Sequence, residues 1–167
     1  MLLGSTNAAQ TYQSEDILIV QLLNQGRYAE AYTLLKKESL TSPATIFNLA
    51  LCHYWVGNYA DALLYLEKVG MMLPHHAGST ASNTDSFYKS LRDKQNQTND
   101  HHQGITSKYA SLFKEQVRDA VIRLKTDCWL KLENWTKVIE IATPIAFKNY
   151  HNIADALQIA KNKLSLS

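Results

Sequence analysis

The sequence predicts an all-α fold, an antiparallel stack of helix hairpins (an α-solenoid of about three units) with a C-terminal capping helix. Two observations predict it. A series of glycine, tyrosine, alanine, leucine and proline occurs twice, 31 residues apart, and apolar residues recur at helical spacing further along the chain. With 167 residues and 46% hydrophobic content, the chain can bury a core of its own. We therefore expect residues 1–167 to form a single domain.

The two clear copies of this series cover residues 14–43 and 44–74. Shifting the chain by 31 residues gives eight identities within 26 positions. The identical pairs are Leu18 and Leu49, Gly26 and Gly57, Tyr28 and Tyr59, Ala29 and Ala60, Ala31 and Ala62, Leu35 and Leu66, Lys37 and Lys68, and Pro43 and Pro74. Because many of these residue types have strong backbone or packing preferences, the matches indicate a repeated structural unit.

Each matched residue type predicts one part of a helix–turn–helix unit. Gly26 and Gly57 should each end a first helix, where glycine most easily takes the left-handed backbone. The tyrosine after each turn can wedge between the two helices, and the small alanine lets them cross closely. The leucine four residues later continues the buried stripe. Pro43 and Pro74 cannot continue a helix and should mark the end of each unit.

A third, degenerate unit is predicted over residues 107–150. Its matches to the second unit, 76 residues later, pair Cys52 with Cys128, Asn58 with Asn134, Tyr59 with Trp135, and Ala62 with Val138. Glu133 stands where glycine is expected, and Pro144 should kink the second helix or end it early. The first helix of this unit is predicted to be a single long one, from Ser107 as N-cap to about Leu132.

A capping helix is predicted over residues 151–164. Ile153, Leu157, Ala160 and Leu164 share one helix face, and Asn152 is the expected N-cap. Such a helix would cover the end of the stack, as repeat arrays require.

A polar insertion over residues 75–106 separates the second and third units. It is rich in Ser, Thr, Asn, Gln and Asp, so it offers little apolar area to offset the entropy of ordering its backbone. We expect a mobile loop, with a short helix over residues 85–94.

The repeated series resembles the tetratricopeptide repeat (TPR), whose signature is G-x-Y-x-x-A closed by a proline. The resemblance implies that the first helices of successive units line a concave groove that holds a peptide or a partner helix. On this sequence the inward residues would be Asp16, Val20 and Leu23 in the first unit, Phe47, Asn48, Leu51, Tyr54 and Trp55 in the second, and Arg123, Leu124, Asp127 and Lys131 in the third.

The middle of this predicted groove is aromatic. Aromatic side chains give a large contact area at low entropy cost, which suits binding hot spots. The alternative is that Phe47, Tyr54 and Trp55 pack against a neighbouring helix or the polar insertion. One TPR subfamily grips the terminal carboxylate of chaperone tails, but of that clamp only Asn48 is present, and Asp16 would repel a carboxylate.

Two histidine pairs, His75-His76 and His101-His102, stand at the ends of the polar insertion. Loop closure could bring four imidazoles together, a set that zinc or nickel accepts. Adjacent side chains diverge, however, and this favours exposed loop histidines. The sequence therefore predicts no metal site and no cofactor.

Composition and motifs also bear on the class of function. A net charge of +2 gives no electrostatic reason to expect nucleic acid or an anionic membrane, and no apolar run is long enough to span a bilayer. No catalytic motif is present, so we do not expect an enzyme. Cys52 and Cys128, far apart and without a CxxC pairing, favour a reducing, cytoplasmic location.

The sequence thus favours a non-catalytic interaction module that binds a peptide or helix of another protein in an aromatic-lined groove. The alternative is a self-associating assembly protein, a homodimer formed through Leu2, Leu3, Tyr12 or the C-terminal helix. The identity of the partner cannot be read from these residues, because function on such a scaffold lies in whatever the groove fits.

Overall fold

The structure is a computed structural model that describes residues 5–74 and 85–166, apart from the side chains of residues 5–10, 12 and 13. The α-helices are α1 (Ser5–Asn24), α2 (Tyr28–Leu35), α3 (Pro43–Trp55), α4 (Tyr59–Met72), α5 (Ser86–Gln95), α6 (Ser107–Leu112), α7 (Lys114–Lys131), α8 (Trp135–Ala142) and α9 (His151–Ser165). Two 3-10 helices cover Asp100–His102 and Thr143–Lys148. Within the described ranges there is no strand, so the all-α prediction is confirmed.

The chain forms two compact units where the sequence predicts a single domain. Unit 1 comprises residues 1–69 and 103–114, and unit 2 comprises residues 70–102 and 115–167. Each unit is therefore assembled from two separate stretches of the chain.

Unit 1 contains the two predicted hairpins. In the first hairpin α1 packs on α2, and α2 in turn packs on α3. Their shared core consists of Ile19, Leu22, Leu23, Ala31, Leu35, Leu49 and Cys52. Ala31 and Ala62, predicted as close-crossing positions, are both fully buried. The short α6 packs on α3 in the same unit.

Unit 2 contains the degenerate hairpin of α7 and α8, followed by α9. The predicted capping helix α9 packs closely on α8. The apolar face that predicted it is buried at Ile153, Leu157 and Ala160, whereas Leu164 is exposed. Pro144 acts as expected, because α8 ends at Ala142 and the chain continues as a 3-10 helix.

The three hairpin turns share one geometry. In each, one amide donates to the carbonyl three residues back, and the next amide donates to the carbonyl five residues back, which is the Schellman pattern. The bonds are Gly26 to Leu23 and Arg27 to Leu22, Gly57 to Tyr54 and Asn58 to His53, and Glu133 to Leu130 and Asn134 to Trp129. The residue at the centre of each turn has a positive φ: Gly26 +74°, Gly57 +79° and Glu133 +54°. The third unit therefore turns as the first two do, although it lacks their glycine.

The predicted long helix from residue 107 to about 132 is two helices. It breaks at Phe113, whose ψ of 54° is not helical, and Thr106 rather than Ser107 caps α6 by accepting from the Tyr109 amide. Apolar spacing alone does not detect this break, because the residues on both sides keep helical periodicity.

Two further expectations are corrected. Asn152 does not cap α9, which begins after Tyr150; its side chain is bonded to Arg123 and Asp127 instead. The polar insertion is ordered over residues 85–106, where α5 confirms the predicted short helix and Asp85 caps it. The polar side chains of this segment form specific hydrogen bonds. The prediction of a mobile loop from its polar composition is therefore wrong over residues 85–106. Residues 75–84 lie outside the description.

None of the helices in the described ranges is long and apolar enough to cross a lipid bilayer.

Candidate functional site

The predicted groove residues of unit 1 are mostly buried. Phe47 and Leu51 have no exposed surface, Asn48 is 1% exposed, and Tyr54 is 8% exposed. This corrects the prediction that they line an open groove, because a partner cannot contact side chains that the fold already covers. Of the predicted groove residues in the second hairpin, Trp55 remains accessible, with 43% exposure.

Asn48 has a specific structural task in unit 1. Its side chain accepts a hydrogen bond from the Ile105 amide at 2.9 Å and donates to the Ile105 carbonyl at 2.9 Å. Asn24 accepts from the Gly104 amide, and Asp16 accepts from the Ser107 amide at 2.7 Å. These side chains therefore fasten the segment of residues 103–107 to α1 and α3, and Asp16 and Asn48 are occupied by backbone groups.

The predicted groove residues of unit 2 behave in the same way. Arg123 and Asp127 are buried, and Lys131 is exposed. Arg123 forms an ion pair with Asp100, donates to the Thr98 carbonyl at 2.6 Å, and lies over the Tyr150 ring at 4.4 Å. Its charge is thus balanced inside the unit, so it is not available to an incoming partner.

A different apolar surface is open in unit 1, beside the Gly26 and Gly57 turns. It is a cavity of about 300 Å³, called the turn pocket here. Its lining residues are Tyr28, Ala29, Tyr32, Cys52, His53, Val56 and Asn58. These residues belong to α2, to the end of α3 and to the turn that follows α3.

Two tyrosines line the turn pocket, and Trp55 stacks on one of them. The Trp55 ring stacks on the Tyr28 ring with centroids 5.6 Å apart and planes 15° apart. Val56 is 73% exposed and Tyr32 is 38% exposed. Since the Trp55 and Tyr28 rings hold one another in place, contact with a partner would cost little further side-chain entropy.

The polar side of the turn pocket is an internal network. Asn58 donates to Asp61 at 2.7 Å, and the His53 ring lies within 3.3 Å of the Asn58 side chain. Burial raises the pKa of Cys52 to about 11, so this thiol remains protonated at neutral pH. These groups can orient a ligand, but they do not supply a nucleophile.

Unit 1 also has a larger cavity, of about 730 Å³, between residues of its first helix, the α2–α3 connection and α6. Its lining is polar and carries both charge signs, with Glu15, Asp16, Lys37, Glu38 and Lys108 among its residues. This lining favours neither a ligand of one particular charge sign nor an apolar ligand.

Unit 2 holds a cluster of three side chains that the sequence did not bring together: His101, His102 and Asp127, called the His–Asp cluster here. The Nε2 atoms of His101 and His102 lie 2.6 and 2.7 Å from the same Asp127 oxygen, Oδ2. His101 is 1% exposed, which corrects the expectation of an exposed loop histidine. The 3-10 turn Asp100–His102 brings the two rings to 4.1 Å, so the adjacent side chains converge.

The electrostatics of the His–Asp cluster fix its protonation at neutral pH. Burial lowers the pKa of His101 to about 4, although the Asp127 carboxylate opposes the shift, so this imidazole is neutral. Burial alone would raise the pKa of Asp127, but hydrogen bonds from His101 and His102 outweigh it and hold this pKa below its usual range. The cluster is therefore an ionised carboxylate beside a neutral buried imidazole.

No protein-family model, no curated protein and no solved structure matches this chain. The fold and its surfaces define an all-α protein of helix hairpins with an open apolar pocket in one unit and a buried His–Asp cluster in the other.

Proposed function

We propose that this chain is a non-catalytic, TPR-like interaction module of the cytoplasm that binds a peptide or helix of another protein. The turn pocket of unit 1 would receive an apolar side chain of that partner. The observation that carries the proposal is an apolar cavity lined by Tyr28 and Tyr32, with the exposed Val56 in its lining and the exposed Trp55 stacked on Tyr28.

The shape of the turn pocket supports a side-chain anchor. A cavity of about 300 Å³ suits one large aliphatic or aromatic residue, and its lining contains no Lys or Arg to hold a phosphate. Interface hot spots concentrate where an aromatic rim surrounds such a pocket and excludes water. The partner is therefore proposed to be protein rather than nucleic acid or membrane.

The resemblance to TPR units is supported by the three matched Schellman turns and by the burial of Ala31 and Leu35 in the first copy and of Ala62 and Leu66 in the second. The proposed binding surface differs from the concave groove that the resemblance implies, because the groove positions Phe47 and Leu51 are part of the core. A non-catalytic role is supported by the two cysteines, whose pKa values burial raises to about 11 and about 12.

Selection from a displayed library of random peptides, with the purified full chain as bait, tests the proposal. We expect enriched peptides to share a large apolar anchor residue. Val56→Asp at the pocket rim should weaken their binding at least tenfold, equivalent to about 1.4 kcal/mol, as measured by fluorescence polarisation. Val56 is suited to this test because its high exposure means that the change costs the fold little.

The matched control is Leu64→Asp, which places the same charge on an exposed leucine of α4 in the same unit. It should leave peptide affinity unchanged. Enriched peptides that bind wild type, Val56→Asp and Leu64→Asp equally would remove the turn pocket from the proposal, and a library without any enriched sequence would count against peptide binding altogether.

Self-association remains the second candidate, and one observation favours it. The last helix, α9, exposes Ile159 and Leu164, and the residue that follows it, Leu166, is 85% exposed. A second copy could cover these side chains across a two-fold axis. Sedimentation equilibrium of wild type and Leu164→Asp distinguishes the candidates: a mass that rises with concentration in wild type alone supports a homodimer. The other named surfaces, at Leu2, Leu3 and the side chain of Tyr12, lie outside the described residues.

A further inference from the structure

The His–Asp cluster of unit 2 has the donors of a metal site. His101, His102 and Asp127 each offer one donor atom, and these three atoms all lie within 4.8 Å of one another. Two imidazoles and one carboxylate are ligands that zinc and neighbouring divalent ions bind in proteins. We propose that His101, His102 and Asp127 together bind one divalent first-row transition ion, of which Zn²⁺ is the representative.

The charge balance of the unit favours a cation at this position. Arg123, whose charge acts on His101, has its own counter-ion in Asp100. Asp127 supplies a carboxylate oxygen with both Nε2 atoms against it, so an ion there would replace these two hydrogen bonds and each ring proton would move to Nδ1 or to solvent. Neither a phosphate nor another anion would be stable against this carboxylate.

A second layer of residues orients the Asp127 carboxylate. Its other oxygen, Oδ1, accepts from Asn152 at 2.9 Å, and Asn152 is itself held by Arg123 at 2.8 Å. Oδ2 is thereby directed at both rings. Metal sites use such outer hydrogen bonds to fix the ligand oxygen, and the displacement of Asn152 from its predicted capping role is explained by this task.

The geometry needs only a small adjustment to accept an ion. Ligands around a tetrahedral zinc stand about 3.3 Å apart, since each is about 2.0–2.2 Å from the metal. The carboxylate oxygen now lies 2.6 and 2.7 Å from the two nitrogens, so each of these two distances must lengthen by less than about 1 Å. The His102 side chain is 19% exposed, so solvent reaches the cluster there and water would supply the fourth ligand of a tetrahedral ion.

One ring nitrogen of the buried His101 is not engaged in a hydrogen bond. The ring uses Nε2 alone, and its Nδ1 has no hydrogen-bond partner among residues 5–74 and 85–166. The ring proton can therefore move to Nδ1 without breaking a hydrogen bond there, and this frees the Nε2 lone pair for an ion. A bound ion would tie the turn Asp100–His102 to α7 through coordination bonds, and the ion's affinity would add to the stability of unit 2.

The test is titration of the full chain, free of any histidine tag, with ZnCl₂ at pH 7.5 by isothermal calorimetry, and with CoCl₂ by visible ligand-field absorption. Wild type should bind one ion per chain at the cluster, and its melting temperature should rise with zinc. His102→Gln should lower zinc affinity at least tenfold and abolish the cobalt spectrum. His102 is chosen because it is the less buried histidine, and circular dichroism of the metal-free variant verifies its fold.

The matched control is His151→Gln, which removes a histidine from an exposed pair with Asp155 in the same unit. This control, and a double variant at His75 and His76, should bind zinc as wild type does. Absence of zinc binding in wild type, equal affinity in wild type and His102→Gln, or loss of binding in the His75/His76 double variant alone would each overturn the proposal.

Discussion

The residue at the centre of each hairpin turn is constrained by its backbone conformation. Gly26, Gly57 and Glu133 all have a positive φ, and only the third carries a side chain. An L-residue in this conformation is strained by about 1–2 kcal/mol, whereas glycine is not. The sequence identified Glu133 as the departure from the repeat, and the structure keeps the turn despite it.

The first prediction concerns substitutions at the centres of the third and second turns. Glu133→Gly should stabilise the protein by about 0.5–1 kcal/mol, because it relieves left-handed strain. Gly57→Ala should destabilise it by about 1 kcal/mol, through backbone strain alone, since an added Cβ would meet nothing within 4 Å. Urea denaturation followed by circular dichroism measures both. Equal midpoints for wild type and Glu133→Gly would mean that the third turn is not left-handed.

At the scale of the elements, helical periodicity identified most helices but not which of their faces are open. The third helix, PATIFNLALCHYW, is apolar on every side, and such a helix is normally buried all round. That signal was in the sequence and points away from a groove at Phe47 and Leu51. The turn pocket, in contrast, depends on how Tyr28 and Trp55 stack between two hairpins, which no local pattern specifies.

The ordered part of the polar insertion was missed for a related reason. Its order rests on long-range bonds, such as Asn48 with Ile105 and His101 with Asp127, that join residues far apart in the chain. Composition measures only the apolar area a segment can bury, so it cannot detect a segment held by specific polar contacts.

The second prediction concerns the close approach of this segment to α1. A Cβ built on Gly104 would lie 2.8 Å from a Leu23 methyl carbon and 3.3 Å from the Val20 Cα, so Gly104→Ala should destabilise the protein by about 1–3 kcal/mol. Gly70 is the control: it lies inside α4, and its added Cβ would meet only the end of the Lys125 side chain at 3.9 Å.

Gly70→Ala should therefore be stabilising by up to about 1 kcal/mol, because alanine is the better helix former. Thermal and urea denaturation of the two variants should move in opposite directions. A Gly104→Ala protein as stable as wild type would show that the 103–107 segment is not seated against α1.

At the scale of the whole molecule, the third prediction tests whether residues 85–102 belong to the fold of unit 2. Replacing them by a Gly/Ser linker of equal length keeps the chain connected but removes Asp100, His101 and His102. Arg123 would then be buried without its counter-ion, a change that costs about 3–5 kcal/mol when one partner of a buried pair is lost.

We expect circular dichroism of the linker variant to show a loss of helix beyond the 10 residues of α5 itself, together with a lower melting temperature. A loss confined to α5, with an unchanged melting temperature, would mean that the rest of unit 2 does not depend on this segment.

The alternation of the chain between the two units also has a consequence for its synthesis. A ribosome releases residues in order, so the first four helices emerge before residues 103–107 are available to Asn24 and Asn48. By then residues 70–102, the first stretch of unit 2, have already been made. Unit 1 can therefore be completed only after the first stretch of unit 2 has been made, whereas a unit encoded in one stretch needs no later residues.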